Sequence, residues 1–174
     1  MDKNLLQLYA VTDRQWLREA CNNAFLRLAD VVEAAIKGGV TLVQLREKTM
    51  GDEEFIREAL EVKKVTDAYG IPLIINDNLK VCQACDAAGV HVGQEDLCAE
   101  KARALLGPDK IIGVTAKTVE QAREAVRQGA DYLGSGAMFG SSTKTEARPM
   151  TLEEFKAIRQ AVSIPIVLIG GIDA

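Results

Sequence analysis

Aromatic side chains are scarce in this 174-residue chain, with four Phe, three Tyr and one Trp making up 5% of it. Base-stacking platforms need more of them, and 25 acids against 21 bases leave a net charge of −4 with no basic stripe. Both marks of a nucleic-acid binder are therefore missing. No apolar run approaches the ~18 residues that cross a bilayer. The first residues, Met1 to Tyr9, carry neither a basic stretch nor a small-residue cleavage site, so neither a membrane protein nor a secreted one is expected. Four cysteines (Cys21, Cys82, Cys85, Cys98) are too few for a disulfide scaffold and sit within regular segments, which points to a reducing, cytoplasmic location. The only histidine, His91, and the lack of a Ser or Cys next to a base leave covalent acyl transfer without support. What is present, 48% hydrophobic and 26% charged residues, suffices for one sizeable core and small-molecule chemistry.

Short β-branched runs alternate with longer amphipathic stretches, and Gly, Asn or Asp mark the joints. Strands are predicted at Leu5 to Val11, Thr41 to Leu45, Leu73 to Ile75, Gly89 to Val92, Ile111 to Val114, Tyr132 to Ser135 and Ile166 to Ile169. Helical spacing fills the gaps over Ala24 to Lys37, Asp52 to Tyr69, Leu79 to Ala87, Ala99 to Leu106, Val119 to Gln128 and Leu152 to Ala161. Ile71-Pro72 and Ile164-Pro165 repeat one helix-to-strand transition, since the residue before proline is driven out of the helical region. Strand alternating with helix implies parallel pairing through right-handed crossovers. No Gly-x-Gly-x-x-Gly follows the first strand, and polar residues recur at nearly every strand's C-terminal tip, so an α/β chain of the TIM (β/α)8 barrel type is predicted. Residues 1–174 are expected to form a single barrel domain of seven βα units, C-terminally incomplete, with the eighth strand and last helices missing. An edge left without its neighbour favours association or low thermal stability, and so allows a homo-oligomer.

Gln44-Leu45-Arg46-Glu47-Lys48 closes the second strand, and alternation puts Gln44, Arg46 and Lys48 on one side. An amide, a bidentate guanidinium and a mobile ammonium suit a diphosphate, although a solvated strand end with an Arg-Glu pair fits as well. Asn76-Asp77 and Gln94-Glu95-Asp96 close strands three and four. Carboxylates facing one another need a cation between them, and beside a diphosphate the oxygen-ligated choice is Mg²⁺. The same acids also suit helix caps, as Asp77, Asn78 and Asp96 each stand where a helix begins. Gly134-Ser135-Gly136, the run Gly140 to Thr145 with Ser141, Thr143 and Lys144, and Gly170-Gly171 supply backbone amides, hydroxyls and a cation for a phosphate. Thr115 ends strand five. Cys82-Gln83-Ala84-Cys85 falls in a helix and reads as core, and His91 reads as a buried, hydrogen-bonded strand residue.

The order of these motifs resembles the thiamine-phosphate synthase family. Gln-x-Arg-Glu-Lys, Asn-Asp, His-x-Gly-Gln-Glu-Asp, Gly-Val-Thr-Ala-Lys-Thr, a hydroxyl-rich loop with Lys and Ile-Gly-Gly-Ile occur in the family's sequence along the whole chain. The resemblance implies a (β/α)8 barrel and a transferase that joins hydroxymethylpyrimidine diphosphate to a thiazole phosphate with Mg²⁺, releasing pyrophosphate. It implies that Gln44, Arg46, Lys48 and Asn76 hold the pyrimidine diphosphate and that Asp77 and Asp96 bind Mg²⁺. Thr115 stands where the family has serine, Lys144 would meet the diphosphate, and Ser141, Thr143 and Gly171 would hold the thiazole phosphate. Arg46, Lys48, Thr115 and Lys144 are the implied catalytic residues. The departures are Gly140-Ser141 for Pro-Thr and Lys117 for His. A thiazole tautomerase of the same superfamily needs no diphosphate site, so the Gly-Gln-Glu-Asp carboxylates and the three cations argue against it; a non-catalytic binding or regulatory paralogue is the other alternative, which the missing last unit would suit.

Overall fold

Every residue of Leu42–Leu45 is buried, as a parallel strand covered on both faces requires. The same holds for Leu73–Asn76 and Gly89–Val92, so the apolar runs read from the sequence become the centre of the fold. The computed structural model describes residues 2–14, 27–94, 98–139 and 149–172. The chain divides into two compact units between His91 and Val92, and each is taken in turn.

In the first unit, a 3-10 helix (Lys3–Leu6) precedes β1 (Tyr9–Val11), α1 (Leu28–Lys37), β2 (Leu42–Leu45), α2 (Asp52–Ala68), β3 (Leu73–Asn76), α3 (Leu79–Ala84) and β4 (Gly89–Val92). All pairings are parallel and sequential. Val11 stands beside Gln44, Leu45 beside Ile75 and Asn76 beside His91, which brings the C-terminal tips of β1 to β4 side by side. Buried Leu28, Ala29, Val32 and Ile36 form the inner stripe of α1, and Phe55, Ala59, Val62 and Thr66 that of α2, and the two helices pack together. Covering Phe55 and Val62 contributes roughly 1.5–3 kcal/mol each. Three acids open α2, where they complement the helix dipole.

The second unit carries α4 (Ala99–Leu106), β5 (Ile111–Thr115), α5 (Val119–Arg127), β6 (Tyr132–Gly136), α6 (Leu152–Ala161) and β7 (Ile166–Ile169). Its strands are parallel too, with Thr115 beside Gly134 and Gly136 beside Ile169. Thr118 caps α5, and Thr151 with Glu154 forms a capping box on α6. One guanidinium ties the loops at the base of this unit. Arg103 donates to the carbonyls of Gly107, Pro108, Lys110 and Gly129 and to the Asp131 carboxylate at 2.7 Å. Gly136 is required by close approach, because a Cβ there would lie 2.2 Å from the Ile169 carbonyl oxygen.

The order of strands and helices matches the sequence reading, but several boundaries differ. The first strand begins at Tyr9, since Lys3–Leu6 coils into a 3-10 turn capped by Asp2. Arg27 is extended, so the helix predicted from Ala24 starts at Leu28, with residues 24–26 outside the described residues. The third helix stops at Ala84 instead of Ala87 because Asp86 takes φ 51° and turns the chain towards β4. Among the described residues, no helix is long and apolar enough to cross a membrane.

Candidate active site

Gln44 lies inside β2, and its side chain is buried. Its Nε2 donates to the Tyr9 hydroxyl at 2.7 Å, so the amide is held from the neighbouring strand. Arg46 and Lys48 follow beyond the strand's end. Arg46 reaches Asp13 through Nη1 at 3.2 Å, while its backbone amide donates to Thr12 Oγ1 at 3.0 Å. The Arg46 Nε and Nη2 make no hydrogen bond to a described residue. Lys48 is exposed and places Nζ 3.3 Å from Asp77 Oδ2.

The sequence left open whether Glu47 pairs with Arg46 on a solvated strand end. In the structure Glu47 turns the other way. Its Oε1 accepts from Arg14 Nε at 3.0 Å and Nη2 at 2.9 Å, and Arg14 Nη2 also meets Glu58 of α2 at 3.2 Å. The Glu47 side chain keeps only 4% of its exposure. Arg14 sits above its ordinary pKa: partial burial opposes its charge, but the hydrogen bonds and charges of Glu47 and Glu58 outweigh that. With Glu47 engaged by Arg14, Arg46 is left to face Asp13.

Asp77 follows β3 in a backbone conformation that few residues adopt, with φ 61°. Asp and Asn tolerate it best, and such residues recur at functional sites. Its amide donates to the His91 carbonyl at 2.9 Å, and its Oδ2 accepts from the Asn76 side chain as well as from Lys48. The cap of α3 is Asn78, whose Oδ1 accepts from the Val81 amide at 3.1 Å. Of the capping candidates the sequence offered here, Asn78 takes the helix cap, and the Asp77 carboxylate faces the Lys48 ammonium.

Thr115 lies in the second unit at the end of β5, half-buried, and its carbonyl accepts from the Gln94 side chain. Ser135 is buried and donates to the Ala116 carbonyl at 2.9 Å, which is a structural use of its hydroxyl. Gly171 follows β7 with φ 64°, and its neighbour Gly170 has φ 101°. Asp96, Ser141, Thr143 and Lys144 lie outside the described residues. His91 is buried in β4, and Cys82 and Cys85 are buried thiols, outside any disulfide, of α3 and its C-terminal cap, as the sequence suggested. The residues that sequence reasoning missed are Tyr9, Thr12, Asp13 and Arg14. The only available signal was the polar run that closes the first strand.

The model of the thiamine monophosphate synthase family matches residues 8–174. This chain belongs to that family. A thiamine-phosphate synthase from Clostridium acetobutylicum is 53% identical over 167 residues, covering 96% of this chain and 76% of the relative. One from Caldanaerobacter subterraneus is 48% identical over 166 residues, covering 95% and 75%. The solved thiamine phosphate pyrophosphorylase from Pyrococcus furiosus superposes with a TM-score of 0.84 at 34% identity, covering 98% of this chain and 78% of that one. FabK from Thermotoga maritima, at TM-score 0.68 and 19% identity over 98% of this chain and 53% of its own, shares the fold alone. The chain thus has the TIM (β/α)-type fold expected from its sequence, with seven strands among the described residues. Within the family frame, Gln44, Arg46, Lys48, Asn76 and Asp77 stand on the neighbouring tips of β2 and β3.

Proposed function

We propose that this chain is a Mg²⁺-dependent thiamine-phosphate synthase acting in the cytoplasm on hydroxymethylpyrimidine diphosphate and a thiazole phosphate. The observation that carries this reading is the grouping of Arg46, Lys48, Asn76 and Asp77 on two adjacent strand tips, with Arg46 Nε and Nη2 uncommitted to any described residue. A fork of N–H donors and a mobile ammonium are the partners a diphosphate recruits. The family supplies the reaction. The bond from the pyrimidine's methylene carbon to the diphosphate oxygen breaks with its electron pair on oxygen, and the thiazole nitrogen's lone pair forms the new bond to that carbon.

The residues supply stabilisation of the departing charge. Arg46 would grip diphosphate oxygens through its remaining donors, and Lys48 would swing from Asp77 to the same group. Gln44, held by Tyr9, would present its amide to the pyrimidine, and Asn76 would complete the diphosphate's hydrogen bonds. Thr115 and Lys144 would serve the same substrate, and Ser141, Thr143 and Gly171 the thiazole phosphate. No covalent nucleophile is required.

The carboxylate of Asp77 fits a hard divalent ion. It is an oxygen donor, it does not cap the helix that follows, and the Lys48 ammonium already stands 3.3 Å from it. Asp77 with Asp96 would hold the Mg²⁺, which neutralises leaving-group charge when bound. The cation cluster of Arg46 and Lys48 favours the synthase over a tautomerase, which handles no diphosphate. Incubating the protein with both substrates tests the reading. Thiamine phosphate and pyrophosphate in equal amounts, lost on chelation and restored by Mg²⁺, are expected. No product with both substrates and Mg²⁺ present overturns it.

A further inference from the structure

Three consecutive residues after β1 grip the segment that carries the cation cluster. The Thr12 amide donates to the Gln44 carbonyl at 2.9 Å, and Thr12 Oγ1 accepts from the Arg46 amide at 3.0 Å. Asp13 Oδ2 meets Arg46 Nη1 at 3.2 Å, and Arg14 holds Glu47. Thr12 and Arg14 fix backbone and neighbour, whereas Asp13 touches the guanidinium itself. Both members of that pair are mostly covered, with 21% and 20% of their side chains exposed, so the contact is sheltered from solvent in a way that surface pairs are not.

We infer that Asp13 is a positioning residue for the diphosphate: its carboxylate fixes Nη1 of Arg46 and so turns the fork's other edge, Nε and Nη2, to the ligand. The inference rests on the proposed diphosphate-binding role of Arg46. Two consequences of the Asp13 charge oppose each other. Its negative charge repels a diphosphate, while its hydrogen bond spares the ligand the cost of ordering a long, flexible arginine. Side-chain ordering on binding costs about as much as a tenfold change in affinity. At a mostly covered contact the ordering outweighs a repulsion that acts at longer range and is screened by salt.

The test is a double-mutant cycle read by calorimetric titration with inorganic pyrophosphate at fixed Mg²⁺, using the intact chain, Asp13→Asn, Arg46→Ala and the double variant. Asp13→Asn is expected to weaken pyrophosphate about tenfold in the presence of Arg46 and to change it less than about twofold in its absence. Asp13→Glu, which keeps the carboxylate, is expected to restore at least part of the affinity. Melting curves of all variants report the fold separately. Equal weakening in both backgrounds makes Asp13 a merely structural residue and overturns the inference, as do unchanged or tighter binding by Asp13→Asn. Failure of the functional reading shows itself differently, as an Arg46→Ala variant that binds pyrophosphate as well as the unaltered chain does.

Discussion

Replacing Arg14 by Met removes the one cation among the described residues that pairs with the almost fully covered Glu47. The side chain loses two donors to Glu47 Oε1, at 3.0 and 2.9 Å, and one ion pair to Glu58 at 3.2 Å. Hydrogen bonds to a charged group are worth roughly 1.5–3 kcal/mol net, and breaking a fully buried pair costs about 3–5 kcal/mol. Arg14 keeps 30% of its exposure, so water softens the loss, and about 2 kcal/mol of destabilisation is expected for Arg14→Met. For a chain of this size that lowers Tm by about 4–8 °C. Urea unfolding measures it. Adding Glu47→Gln to Arg14→Met removes the stranded charge and should recover part of the stability. A deficit indifferent to Glu47→Gln would refute the reasoning, because Glu47 would then be solvated without Arg14.

Asp77→Asn keeps a residue tolerant of φ 61° but removes the charge opposite Lys48, so the fold should survive by circular dichroism while the Mg²⁺ dependence of pyrophosphate binding falls at least tenfold by titration. Gly136→Ala forces a Cβ within 2.2 Å of the Ile169 oxygen, and the β6–β7 pair must shift, lowering stability by about 1–3 kcal/mol in urea unfolding. Acid should destabilise the protein through exposed carboxylates. Glu33 is held below its usual range by the Tyr69 hydroxyl and Lys37, Asp52 by Asn78, and Glu124 by Arg127 and Gln128, which bring it to about 2. Since folded values lie below unfolded ones, this stability is complete above the ordinary carboxylate range and is lost as pH falls through the folded values. Melting curves from about pH 6 to about pH 2 should show the decline, weakened by about 0.5 M salt because these pairs face solvent.

The sequence by itself determined the alternation of strands and helices, since β-branched runs bounded by Gly and Pro and amphipathic stripes such as Phe55-Ala59-Val62 are local patterns with fixed periods. It also determined which side chains end up at the tips of β2 and β3, because a parallel strand presents its last residues there whatever surrounds it. Only the tertiary structure decided how those side chains are paired. Glu47 is adjacent to Arg46 in sequence yet bonds Arg14, 33 positions earlier, and Arg46 turns to Asp13 across the same separation. Contacts over such distances follow strand register and leave no periodic trace. The choice between Asp77 and Asn78 likewise needed the backbone, because either side chain can cap a helix, and the left-handed turn at Asp77 carries its carboxylate to Lys48 and gives the cap to Asn78. The 3-10 turn at Lys3–Leu6 escaped the sequence reading because Leu5 and Leu6 run into the apolar stretch that ends at Val11 and imitate a strand, while the pairing that makes a strand begins only where Tyr9 meets Leu42.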